Sequence, residues 1–361
     1  MQKMLNIIII FFISFFSLPV FAQESFDVNE FQSEYISGKV INFTEDENNL
    51  RLYTTQLSDN TIIALDTYGQ EIEIGSSVFV EYFSQTDTYN FATVNRNKPL
   101  LFLMSIFVLS IILLAGKKGL RSLGSLFISM LLLLLVLVPL LIQGFNPISL
   151  TLIFGLCILF ISIFITHGFN YQSLVSFLGS LSSIILAVIL ISLVSKFSSL
   201  TGLINDEIQF LSFETEQALD LVRIVSASII IGVLGVLDDI TITQVAVVRE
   251  LSSDNSLSQK NIFIKALRVG RDHISSLVNT LVFAYVGATL PMIMFISLLE
   301  IPFMILISQE FIFIEIIRSL IGAIALTLAV PLTTWLACYP FISAIKKDNK
   351  GIESACAQHS H

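Results

Sequence analysis

From Leu100 onward one pattern repeats: a long run of apolar residues, then a short polar gap. The runs are Leu100 to Ala115, Leu123 to Ile142, Ile148 to Thr166, Leu174 to Val194, Leu221 to Val248, Ser275 to Leu298 and Ser319 to Phe341. A helix that crosses a hydrocarbon core about 30 Å thick needs about 20 such residues. The pattern therefore predicts an all-α polytopic membrane bundle of about seven transmembrane helices. Ile301 to Ile317 is also apolar, but Pro302, Glu310 and Glu315 interrupt it, which predicts a re-entrant or interfacial piece.

Before residue 99 the period is different. Tyr35 to Phe43, Leu50 to Leu57, Thr61 to Leu65, Glu71 to Ile74 and Val78 to Phe83 alternate or cluster strand-favouring residues, with Asp, Asn and Gly between them. They predict a small N-terminal extracytoplasmic all-β module over residues 23–98, with barrel and sandwich both open. Ahead of it, Lys3, the apolar run Leu5 to Phe16 and Val20-Phe21-Ala22 make residues 1–22 a signal peptide by pattern, with an uncleaved anchor helix as the alternative.

Composition supports lipid as the solvent for most of the chain: 54% of residues are hydrophobic and 13% charged. Residues 23–98 carry four basic and thirteen acidic residues, so this segment holds the whole net charge of −9. That surface solubilises the module or collects cations. With the module outside and seven spans threaded, eleven Lys and Arg fall in inner segments and only Lys196, Arg223 and Arg318 in outer loops. This bias predicts a multi-pass cell-membrane protein with its C-terminus in the cytoplasm. The predicted domains are then residues 1–22, 23–98, a transmembrane domain over 99–345 and a tail over 346–361. The segment Arg249 to Arg271 reads as a short amphipathic helix, resting on the membrane or solvated.

The densest chemical signal is Asp238-Asp239 inside an apolar run. Each acid costs about 2.5–3.5 kcal/mol on insertion scales. Asp239 shares a helical face with Ser228, Gly232, Gly235 and Thr243, a small face that a neighbouring helix could approach. Counted from Arg249, Asp239 lies about 15 Å deep at 1.5 Å per residue. Asn279 and Thr280 lie about 12–14 Å past Arg271, and Thr333 and Thr334 about 18–20 Å before Lys346. Pro331 adds a kink beside them. Together these predict a midplane ion or proton site of Asp238, Asp239, Asn279, Thr280, Thr333 and Thr334. The competing reading is helix-to-helix glue.

Arg271, Asp272 and His273 open the sixth run, as a cytoplasmic interface anchor or a gate. Glu315 and Arg318 are spaced as an ordinary ion pair. Cys157, Cys338 and Cys356 form no disulfide framework or metal pattern, and no cofactor is expected. No glycine-lysine phosphate loop, HExxH or serine elbow is present, so enzymatic activity is not expected.

Three motifs occur in order: "GVLGVLDDITITQVAVVREL" from Gly232, "ALRVGRDHISSLVNTLVFAYVGATLP" from Ala266 and "EIIRSLIGAIALTLAVPLTTWLA" from Glu315. The stretch from about Leu100 to Ala344 resembles the YibE/F-like family of bacterial multi-pass membrane proteins. That resemblance implies a membrane fold and location, and no catalytic or substrate residues. The expected function is a secondary transporter or permease with the acidic site at its centre. The alternative is a non-transporting scaffold or sensor whose β module binds a partner. Expected partners are the lipid bilayer, another membrane subunit or a second copy, and a small ion or solute; nothing points to nucleic acid.

Overall fold

A computed structural model describes residues 33–45, 51–204, 206–214, 219–254, 256–299 and 301–342. The signal peptide, the C-terminal tail with Lys346 and Cys356, and the outer-loop acid Glu216 lie outside the described residues. The chain divides into two compact units between Leu114 and Ala115.

The first unit opens with five strands, β1 Ser33–Glu45, β2 Arg51–Leu57, β3 Ile62–Asp66, β4 Ser77–Phe83 and β5 Thr88–Val94. They form one antiparallel sheet in the order β3-β2-β1-β4-β5. The long central strand β1 carries a bulge between Val40 and Asn42, which bends it. The sheet curls until its edge strands β3 and β5 approach each other, giving a half-barrel rather than two stacked sheets. Val40, Tyr53, Leu57, Leu65, Ile72, Val78 and Val80 fill it. Glu71 to Ile74 is not a strand. It is bracketed by Gly69 and Gly75, both at positive φ, and Ile72 spends its N–H on the Tyr53 hydroxyl at 2.9 Å. The fifth strand is instead Thr88–Val94, which a tight turn through Asp87 folds back on β4.

Helix α1 follows as a run of 46 residues, Asn97–Ile142. It is broken at Gly116, where φ is 55° and ψ −133°, a conformation that glycine adopts without strain. The arms on either side match the first two predicted spans. A π-helical stretch, Leu133–Leu137, precedes Pro139 in the second arm.

The second unit continues with α2 Pro147–His167, α3 Tyr171–Phe197, α4 Asp206–Glu214, α5 Leu221–Ser252, α6 Gln259–Ser297, α7 Phe303–Leu306 and α8 Glu310–Cys338. Asn146, Asn170, Asp220 and Ser258 each accept a hydrogen bond from a first-turn backbone N–H; α2, α3 and α5 start close to the predicted runs, whereas α6 starts at Gln259, well ahead of the run predicted from Ser275. The amphipathic segment after Arg249 runs into α6 without a break from Gln259 onward. The interrupted stretch from Ile301 resolves into the single turn α7 and then, from Glu310, the start of α8. Glu310 accepts from the backbone N–H groups of Thr201 and Gly202 and from the Thr201 hydroxyl, at 2.7–2.8 Å, which ties α8 to the loop after α3.

Helices α3, α5 and α8 form the centre, because small residues let them approach closely. Gly179 of α3 leaves room for the Thr333 side chain of α8, and a Cβ there would collide with the Thr333 hydroxyl. Gly155 takes Leu234, and Gly322 takes Leu281, in the same way. Ser173, Ser176, Ser180 and Ser183 run as one buried row along α3.

Candidate functional site

Helix α5 carries the acids into the bundle, and the two point different ways. Asp238 is half-buried and accepts a hydrogen bond from the Ser162 hydroxyl of α2 at 2.5 Å. One turn on, the Thr241 hydroxyl donates to the Asp238 carbonyl at 3.2 Å and shares a hydrogen bond with Ser180 of α3 at 2.8 Å. Asp238 thus sits on a polar seam between α2, α3 and α5. Asp239, about 100° round the helix, is exposed, as are Ser228, Gly235 and Thr243 on its face. The neighbouring helix predicted for this face reaches it at Gly232, where the Tyr285 hydroxyl of α6 lies 2.8 Å from the Cβ position. Nothing comes within 4 Å of the corresponding position at Gly235.

The other predicted members fall elsewhere. Thr334 is buried and accepts from Gln244 of α5 at 2.7 Å, while the same Gln244 amide donates to the Ala266 carbonyl of α6 at 3.0 Å. Gln244 lies five residues beyond Asp239, about 7.5 Å along the helix, so Thr334 is not in the acid layer. Thr333 is equally buried, faces Gly179, and its hydroxyl has no partner among the described residues. Thr280 bonds back to the Ser276 carbonyl of its own helix at 3.0 Å. Asn279 and Thr280 are exposed and make no hydrogen bond to either acid among the described residues. The structure therefore brings Asp238 to Ser162, and not to Asn279, Thr280, Thr333 or Thr334.

Sequence reasoning missed Ser162, Ser180, Thr241 and Gln244. Ser162 is a lone polar residue in an apolar run, the other three stand among further polar residues, and in every case only the packing of helices gives the partner. Ser162 lies four residues before the end of its predicted run at Thr166, so depth along α2 did not single it out.

At the start of the predicted sixth span, Arg271, Asp272 and His273 are all exposed, and Arg271 and Asp272 form no ion pair with each other among the described residues. Neighbours in sequence on a helix point about 100° apart, which accounts for this. Glu315 and Arg318 do pair, at 2.8 Å, and Arg318 also donates to Ser228 of α5 at 3.2 Å. Cys157 and Cys338 are free thiols. Among the described residues no cluster of His, Cys, Asp and Glu could hold a metal ion.

The half-barrel holds a polar cavity of about 400 Å³ lined by Glu45, Arg51, Tyr53, Thr67, Gly69, Gln70 and Glu71. Its base, Arg51, pairs with Glu45 at 2.7 Å and Glu71 at 2.8 Å and stacks over Phe43. Those hydrogen bonds raise the Arg51 pKa further above its ordinary value, so the cation is permanent at any physiological pH. The lining keeps one excess negative charge.

Among the described residues six helices are long and apolar enough to cross a bilayer, which defines a multi-pass membrane protein. The YibE/F-like protein family matches residues 103–342, and the chain belongs to that family. Comparison with curated proteins and with solved structures gave no match.

Proposed function

We propose that this protein is a secondary transporter or permease whose ion or proton site is the Asp238–Asp239 pair on α5. The supporting observation is the division of labour between the two acids. Ser162 fixes Asp238 on the packed side, while Asp239 is exposed on a face of small residues, within electrostatic reach of His167, and makes no hydrogen bond among the described residues. A carboxyl group that already has a donor is held in place. Its neighbour with an open approach can exchange a proton or a cation. Helix glue alone would leave neither acid open.

In the same proposal the two arms of α1 count as separate spans, making seven. The half-barrel then lies outside, a removed leader precedes it, and the C-terminus lies in the cytoplasm. The excess of Lys and Arg in alternate loops supports that orientation.

The test is flux in sealed vesicles containing the purified full chain, with candidate cations and a pH-sensitive dye. Asp239→Asn is expected to insert normally and to lose ion-coupled flux, and Asp238→Asn to lose most of it. Unchanged coupled flux in both would remove the proposal. A second reading, a scaffold or sensor that acts through the half-barrel, draws support from the polar cavity at Arg51. It predicts the reverse pattern: loss of cellular function on deletion of residues 23–98, and none with either Asn variant.

A further inference from the structure

Helix α6 is the least covered of the six lipid-length helices, with 11% of its most apolar window buried, against 44% for α5. Its inner face, through Ile262, Ala266, Gly270 and Leu281, packs on the bundle. The opposite face carries Arg268, Asp272, Ser275, Asn279, Val282 and Val286, at successive spacings of four and three, and every one is exposed. Spacing of that kind is the seam of a helix pair that packs knobs into holes. Hydrocarbon alone is a poor cover for this face. The Asn279 amide makes no hydrogen bond among the described residues, and lipid tails offer it neither donor nor acceptor.

We infer that this face of α6 pairs with the same face of a second copy of the chain, helix against parallel helix, about a two-fold axis normal to the membrane. The chemistry of the seam favours a self-partner. Two copies in one membrane share an orientation, so each residue meets its own counterpart at equal depth. An amide is both donor and acceptor, so Asn279 satisfies Asn279 of the other copy. Asp272 cannot pair with Arg271 of its own helix, but across the axis it is flanked by the other copy's Arg271 and Arg268. By the same rule Arg268 meets Arg268 and Asp272 meets Asp272, and the layer of bases one turn from the layer of acids offsets the repulsion within each. Ser275, one turn from Asn279 on the seam, is small enough for close approach and already returns its hydroxyl to the Arg271 carbonyl at 3.4 Å, so it needs no partner.

The inference stands apart from the transport reading, because none of its residues touches Asp238 or Asp239. Its test is disulfide cross-linking of the full chain in native membranes, after Cys157, Cys338 and Cys356 have been replaced by Ser. Asn279→Cys, Ser275→Cys and Val282→Cys are expected to give a dimer-sized product on oxidation. Leu328→Cys, exposed on α8, is not. In detergent-free bilayers, Asn279→Leu is expected to weaken association about threefold to twentyfold, the range carried by hydrogen bonds between membrane helices. Three results would each overturn the inference. One is equal cross-linking at Leu328→Cys, which marks random collision. Another is no cross-link while a membrane-impermeant maleimide labels Asn279→Cys, which marks a water-lined face. The last is a cross-link from α6 to another segment of the same chain.

Discussion

Helices α5 and α6 are adjacent, both lipid-length and both polar in the middle, yet they solve the problem of polarity in opposite ways. On α5, Asp238, Thr241 and Gln244 each find a partner on another helix: Ser162, Ser180 and Thr334. On α6, the central Asn279 has none among the described residues, and Thr280 turns back on its own helix. The cost of an unmet polar group in hydrocarbon is the same for both helices. A met group can be explained within the chain, whereas an unmet one calls for water, an ion or another protein. Asp239 and Thr243 on the exposed face of α5 make no hydrogen bond among the described residues, and the functional proposal rests on the acid of the two.

Single substitutions should affect the two helices unequally. The largest effect is expected where α5 and its neighbours are packed through glycine. Gly179→Leu drives a side chain into Thr333 and should cost about 1–3 kcal/mol or more, enough to prevent assembly of a marginal bundle. Thermal unfolding in detergent with a fluorescence-detected size assay reads this, and a monodisperse protein of unchanged midpoint would contradict it. Next is Gln244→Leu, which leaves the Ala266 carbonyl and the Thr334 hydroxyl without their donor. About 1–2 kcal/mol of stability should be lost, read as a lower midpoint by the same assay. Ser162→Ala should cost about 0.5–1 kcal/mol, and coupled flux should fall because Asp238 is no longer held. An unchanged flux would detach Ser162 from the site. The smallest effect belongs to α6: Asn279→Leu should leave the stability of the isolated monomer within about 0.5 kcal/mol. A large loss there would mean that the amide has a partner inside the chain, and the contrast between the two helices would vanish.

Most of the membrane fold could be read from the sequence because lipid makes apolar length a nearly sufficient signal. The ends of α2, α3 and α5 fall close to the predicted runs, and their Asn and Asp caps are visible as letters. The half-barrel was less legible. A short strand is decided by its neighbours, so Glu71 to Ile74 read as a strand and lost its backbone N–H to Tyr53, while Thr88–Val94 gained β4 as a partner. The acids themselves were legible because charge within lipid is rare. The layer assigned to Thr333 and Thr334 was not, because its depth was counted from Lys346. Helix α8 ends at Cys338, which leaves Thr333 only about 7.5 Å from the helix end. Partners such as Ser162 were illegible for a simple reason: a lone serine in an apolar run looks the same whether or not an aspartate lies across from it.

The proposal turns on the two adjacent carboxyl groups having different surroundings, Asp238 packed against Ser162 and Asp239 exposed, and it requires that water reach the exposed one. Cysteine accessibility measures this directly. In sealed vesicles, with Cys157, Cys338 and Cys356 replaced, a membrane-impermeant maleimide should label Asp239→Cys readily and Asp238→Cys slowly. Equal protection of both, with the protein folded and inserted, would place Asp239 in a dry setting and contradict the account.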